Sequence, residues 1–137
     1  MTGLCFTRYP QSLMSMVNPG HYNKTHFISS AETRAPRARA ARYLDGIEQG
    51  LRHLHALGFI HNDLNPSNIM ITEEDTPVII DFDSATIPGA SVKGAKRTHG
   101  WFDRQVIVSR ESNDLDALAE IRVWLTGFSP DEYRFKE

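Results

Sequence analysis

The chain has 137 residues, 40% of them hydrophobic, with 15 basic against 17 acidic side chains and a formal charge of −2. That length and apolar content suit one domain with its own core, while the balanced charge supplies no broad basic field for nucleic acid or a membrane surface. A lone cysteine, Cys5, excludes an internal disulfide, and with no leader pattern at Met1-Thr2-Gly3 and no run near the roughly 18 to 20 apolar residues of a membrane span, an intracellular protein, cytoplasmic or nuclear, is expected.

In chain order, Leu4, Cys5, Phe6 and Tyr9 form a short apolar run that Pro10 should end, which reads as a strand and then a loop. Periodicity from Gln11 to Ala31 is poor, apart from Leu13, Met14, Met16 and Val17, which line one short helix before Asn18-Pro19-Gly20. Arg34, Arg37, Arg39 and Arg42 make a local basic run. Such a run can bind acidic groups, but a solvated linker or helix face is the preferred reading. Leu44, Ile47, Leu51 and Leu54 recur at helical spacing, with Gly58 as the stop.

Two apolar runs, Ile69 to Ile71 and Val78 to Ile80, flank the polar turn Thr72 to Pro77 and predict a small hairpin. Residues 84–111, with Pro88, Gly89, Gly94 and Gly100, read as a long loop, a length that marks function or disorder. Leu115, Leu118, Ile121 and Leu125 make a second amphipathic helix, with Ser112, Asn113 or Asp114 as candidate caps and Gly127 as its stop. The two helices are expected to pack together, burying Leu51 and Leu118. No repeat or low-complexity tract interrupts the chain.

Chemistry concentrates in two short segments. The first helix runs into His61-Asn62-Asp63-Leu64-Asn65-Pro66-Ser67-Asn68, and the hairpin delivers Asp81-Phe82-Asp83. Separately these are ordinary turn residues. Together, in this order and joined by a hairpin, the segment from Leu51 to Met70 resembles the eukaryotic protein-kinase helix that enters the H-R-D-x-x-x-x-N catalytic loop, and Asp81-Phe82-Asp83 resembles D-F-G. Thr98-His99-Gly100-Trp101 is similar to the stretch before A-P-E, and Asp114 to the buried aspartate opening the family's central helix. The implied fold is α+β, mainly α: a kinase-like C-terminal lobe over residues 1–137, with a short hairpin carrying the catalytic and metal loops.

The resemblance implies ATP and Mg2+ as cofactors. Asp63 would be the catalytic base, and Asn65 occupies the catalytic-loop position where the family has a lysine. Asn68 and Asp81 would hold the metal and, through it, the nucleotide; both offer the oxygen ligands that magnesium requires. Met70 would lie beneath the nucleotide base or would simply be core. Phe6 to Tyr9 resemble the hinge that meets the adenine edge. The departures are equally specific: Asn62 for the motif arginine, Asn65 for the lysine, Asp83 for the glycine, and Arg104-Gln105 for Pro-Glu. The sequence contains no glycine-rich phosphate loop and no strand lysine with its glutamate, and residues 128–137 are too few for the helices that finish such a lobe.

Three functions follow from this resemblance. The first is transfer of a γ-phosphate to a protein serine or threonine hydroxyl, weak or absent in the isolated chain. The second is a non-catalytic pseudokinase interaction module. The third is a small-molecule kinase of the choline or aminoglycoside type, ranked lower because the Thr98 to Trp101 stretch is a protein-kinase feature. The protein partner is left unknown, with neither nucleic acid nor membrane expected.

Overall fold

The computed structural model describes residues 11–137, so the strand expected from Leu4 and the hinge expected over Phe6 to Tyr9 lie outside the described residues. Among the described residues helices are the dominant regular structure, around one small antiparallel sheet. Strand β1 (Gln11–Ser12) leads directly into helix α1 (Leu13–Val17), whose first turn is capped by the Ser12 hydroxyl accepting the Ser15 N–H at 2.9 Å. Strands β2 (Ile69–Ile71) and β3 (Pro77–Ile79) form the expected hairpin, with Met70 opposite Val78. It is not a free hairpin: β1 pairs with the other edge of β2 and makes the sheet three-stranded. An unpaired β2 edge would leave backbone groups unsatisfied beside the core, and Gln11 and Ser12 meet that need. Asp75 makes the turn at φ +64°, a conformation asparagine and aspartate tolerate best, and its carboxylate is held by Arg42 at 3.0 Å and by the Tyr43 hydroxyl.

Helix α4 (Leu44–Ala56) buries Leu44, Ile47 and Leu51 and ends at Gly58, whose φ of +92° is open to glycine without strain. The last long helix, α5 (Glu111–Thr126), packs on α4, with Leu51 fully buried and Leu118 5% exposed. Its start corrects the expected cap. Arg110 occupies the cap position without a side-chain bond, and Asn113 and Asp114 lie inside the first turn. Their side chains are drawn away by stronger tertiary partners in the loop after α4.

Two shorter helices, α2 (Lys24–Ser29) and α3 (Arg34–Ala40), occupy the stretch whose periodicity was too irregular to read. They are short and held by packing: Phe27 of α2 stacks on Trp124 of α5 with ring centres 4.2 Å apart. The basic run divides along α3. Arg34 and Arg39 are exposed as expected, whereas Arg37 is buried and donates from Nε to the Trp124 carbonyl (2.7 Å) and from Nη2 to the Gly127 carbonyl (2.6 Å). These carbonyls at the end of α5 lack helical partners, and the guanidinium supplies them.

Residues 128–137 add one turn, Pro130–Glu132, closed by a capping box with Ser129, and bury Tyr133 and Phe135 against the lobe. Among the described residues no helix is long and apolar enough to cross a membrane.

Candidate active site

The loop after α4 is pinned from two directions. Asp114 in the first turn of α5 is fully buried, and its carboxylate accepts the backbone N–H groups of His61 (2.8 Å) and Asn62 (2.9 Å), with His55 Nε2 2.8 Å away. A carboxylate is suited to this place because charge-assisted bonds to several donors offset its burial. His61 faces the opposite side. Its Nδ1 accepts the Asp63 N–H at 3.1 Å, so Nε2 carries the proton and donates to the Ile80 carbonyl at 2.8 Å. One neutral imidazole thereby links the loop to the strand that delivers Asp81.

Asn62 stands where the resembled family has arginine, and its surroundings show what asparagine does there. Its φ of +70° is a left-handed conformation that asparagine adopts more easily than most residues. The buried amide donates to the carbonyls of Ile60 (3.3 Å) and Ser84 (3.1 Å) and to the Ser109 hydroxyl (3.0 Å), and its oxygen accepts from Asn113 (3.0 Å). A cation is nonetheless present nearby. Arg97 Nε donates to the Asn62 carbonyl at 2.7 Å.

Asp63 is 6% exposed and surrounded by neutral donors. Its Oδ1 accepts the Thr98 hydroxyl at 2.7 Å and the Thr98 N–H at 2.9 Å; longer contacts of 3.3 Å come from Asn65 to Oδ1 and from Asn68 to Oδ2. Asn65 also donates to the Thr98 hydroxyl, while Asn68 Nδ2 donates to the Asp63 carbonyl at 2.8 Å. The Asn68 amide is therefore oriented with its nitrogen on Asp63, and its oxygen has no partner among the described residues.

Asp81 follows directly on the ladder, since the Ile80 N–H donates to the Asn68 carbonyl at 2.9 Å. It has φ +63°, and its Oδ2 accepts from Lys96 at 3.1 Å. That hydrogen bond holds the Asp81 carboxyl below the usual range and raises the Lys96 ammonium, which also feels Asp63 and Asp83 through space. Asp83, in the position of the expected glycine, has no positive φ and needs none; it donates its N–H to Asp81 Oδ1 at 3.4 Å. Phe82 is half exposed and meets the edge of His61 at 5.3 Å.

The structure thus brings Asp63, Asn65 and Asn68 into one hydrogen-bonded cluster and sets Asp81 one residue beyond the strand partner of Asn68. Met70 lies between buried Ile69 and Ile71 on the other face of β2 and is only half-buried, so it is not an ordinary core residue. Sequence reasoning did not single out Thr98 as the partner of Asp63, nor Lys96 and Arg97 as the cations of the site. Only their charge, in a long aperiodic loop, could have signalled the last two.

Two comparisons bear on this arrangement. A protein kinase domain model matches residues 6–127. Among curated proteins, the chain is 32% identical over 85 residues to the mitogen-activated protein kinase hog1 of Aspergillus clavatus, covering 62% of this chain and 22% of that protein. It is 34% identical over 86 residues to the serine/threonine-protein kinase Tao of Drosophila melanogaster, covering 61% of this chain and 8% of that protein. With serine/threonine-protein kinase 16 of Mus musculus it shares 32% over 73 residues, 51% of this chain and 24% of the relative. The chain therefore spans about a quarter or less of the length of these relatives. The loop, the hairpin and the family match agree in position, and the chain belongs to the protein kinase domain family.

Proposed function

We propose that the site serves phosphotransfer of the protein-kinase type, from ATP with magnesium to a serine or threonine hydroxyl of a protein, with the isolated chain turning over weakly or not at all. The observation that supports this most directly is the orientation of Asp63. Its Oδ1 is fixed by Thr98, and among the described residues its Oδ2 has only the long contact with Asn68, so this oxygen keeps the capacity to accept the proton of an incoming hydroxyl. Thr98, Asn65 and Asn68 do the positioning.

The donor set fits magnesium. Asn68 offers an amide oxygen without a partner among the described residues and Asp81 a carboxylate held in its charged form, and a hard ion takes the rest of its shell from phosphate and water. Bound there with ATP, the ion would neutralise phosphate charge. Lys96 must then give up or share its contact with Asp81, and its exposed ammonium is long enough to turn toward a phosphate instead.

The test is ATP binding by the whole chain, with and without magnesium, for the natural protein and for Asp81→Asn and Asn68→Ala. Magnesium-dependent binding that both substitutions weaken by about tenfold or more is expected. Binding that ignores both magnesium and the substitutions would remove the basis of the proposal. A non-catalytic interaction role is favoured by one feature, the amide of Asn65 where a lysine would meet the transferring phosphate. In that case nucleotide binding would survive without transfer.

A further inference from the structure

The long loop and the stretch after Thr98 enclose a pocket of about 430 Å³, lined by Lys93, Arg97, His99, Phe102 and Arg104 with apolar neighbours such as Ile107. The lining has three permanent cations and no carboxylate. None of the three takes part in an ion pair among the described residues.

The cations are individually braced. The half-buried Arg97 guanidinium donates from Nε to the Asn62 carbonyl and from Nη1 to the Val106 carbonyl at 3.2 Å, and it lies 4.4 Å from the centre of the Phe102 ring. Its Nη2 has no protein partner among the described residues. Burial pushes this guanidinium down from its ordinary value, although Asp63, Asp114 and Asp103 act on it through space. Arg104 Nη2 donates to His99 Nδ1 at 2.7 Å, which leaves the proton of the imidazole on Nε2, and the other Arg104 nitrogens have no partner among the described residues. Lys93 is exposed, and no partner holds its ammonium among the described residues. A half-desolvated cation beside two others, with three carboxylates acting on it only through space and none bonded to it among the described residues, is stabilised further when something anionic joins it.

The pocket also has an address. Arg97 is braced on the residue before Asp63, and the next residue, Thr98, binds the Asp63 carboxylate. An extended peptide whose hydroxyl lay at Asp63 would pass the pocket within a few residues, at roughly 3.3 Å per residue. We propose that this pocket binds a phosphorylated serine or threonine side chain on a peptide substrate, close to the residue presented to Asp63. A phosphoryl group carries close to two charges and three acceptor oxygens, which matches three cations with unused donors better than a single carboxylate does. The substrate part of this inference rests on the phosphotransfer reading above.

Binding of short labelled peptides to the whole chain, without nucleotide or metal and at fixed ionic strength, tests it. Three peptides share one Gly/Ala/Ser sequence and differ at a single position, which holds phosphoserine, glutamate or serine. The phosphopeptide is expected to bind about tenfold or more tightly than the serine peptide, since charge-assisted bonds of this kind are worth that factor. Lys93→Ala and Arg104→Ala should each remove most of the advantage. Both side chains are exposed and, among the described residues, brace nothing but His99, so folding is spared. A charge reversal, Lys93→Glu, should abolish the preference. Equal binding of the phosphopeptide and serine peptide, or variants that bind like the natural protein, would overturn the proposal. Glutamate binding as well as phosphoserine would assign the pocket to a carboxylate instead. Inorganic phosphate competing as strongly as the phosphopeptide would reduce it to an ion site. Because no ATP is present, peptide binding without magnesium-dependent nucleotide binding would sink the phosphotransfer reading and leave the pocket standing.

Discussion

Arg37 shows how far one side chain can depart from its local sequence. Its run of arginines suggested a solvated face, and two of its neighbours obey that expectation, but Arg37 turns inward to the carbonyls that end α5. Each bond joins a cation to a buried acceptor, worth roughly 1.5 to 3 kcal/mol, and the removal of the arginine strands both acceptors. Arg37→Ala is therefore expected to lower stability by about 3 kcal/mol in denaturant unfolding, while Arg34→Ala changes it by less than about 0.5 kcal/mol. Equal effects of the two substitutions would show that the buried bonds carry no special weight. Nothing in a pattern of arginines distinguishes these positions, because the distinction belongs to α5, far along the chain. Asp63, Asn68 and Asp81 were legible for the opposite reason. Their placement near one another follows from fixed spacing within one loop and one hairpin, and spacing is written locally.

At the scale of elements, legibility followed periodicity. Helices α4 and α5 carry continuous apolar stripes and were visible. Helices α2 and α3 are too short for a stripe and exist because the core holds them. The same holds for β1, two residues whose only signal is the unpaired edge they satisfy. One connection between elements escaped the sequence entirely. Lys24 of α2 is 4% exposed and donates at 2.6 Å to Glu120 of α5, to the Gly100 carbonyl and to the Phe135 carbonyl, with the rings of Trp101 and Tyr133 over it. Glu120 in turn accepts the N–H groups of Arg134 and Phe135. This buried pair ties α2, α5, the stretch after Thr98 and the tail to one point, in a chain where Arg104-Gln105 replace the family's own anchor for that stretch. Burial lowers the Lys24 ammonium despite the adjacent carboxylate, so the pair is costly to form and costlier to break. Lys24→Met should destabilise by about 3 to 5 kcal/mol and speed amide hydrogen exchange around residues 98–101 more than around α4. Uniform loosening of both regions would deny Lys24 the anchoring role.

For the whole molecule, the decisive question is whether the loop and hairpin alone suffice for catalysis. The expected outcome is that the 137-residue chain alone does not phosphorylate a generic protein substrate at a rate distinguishable from that of its own Asp63→Asn variant. Phosphoryl transfer depends on alignment and on meeting the charge of the transferring group, and a single charge-stabilising donor is typically worth about 100-fold or more. The sequence contains no glycine-rich phosphate loop, and Asn65 supplies an amide where the family's loop supplies a cation. Among the described residues Lys96 is the one cation bonded to the Asp81 carboxylate, and its exposed ammonium has no second partner there. These deficits act on the same phosphate, so they are not multiplied as if independent, but one or two leave little transfer to observe. Magnesium-dependent ATP binding should persist beneath that loss, because Asn68 and Asp81 keep their oxygens. A radiolabelled phosphate-transfer assay on the purified chain decides the matter. Clear incorporation that vanishes with Asp63→Asn, and falls with Lys96→Met, would show that the exposed lysine replaces the missing cations well enough for catalysis.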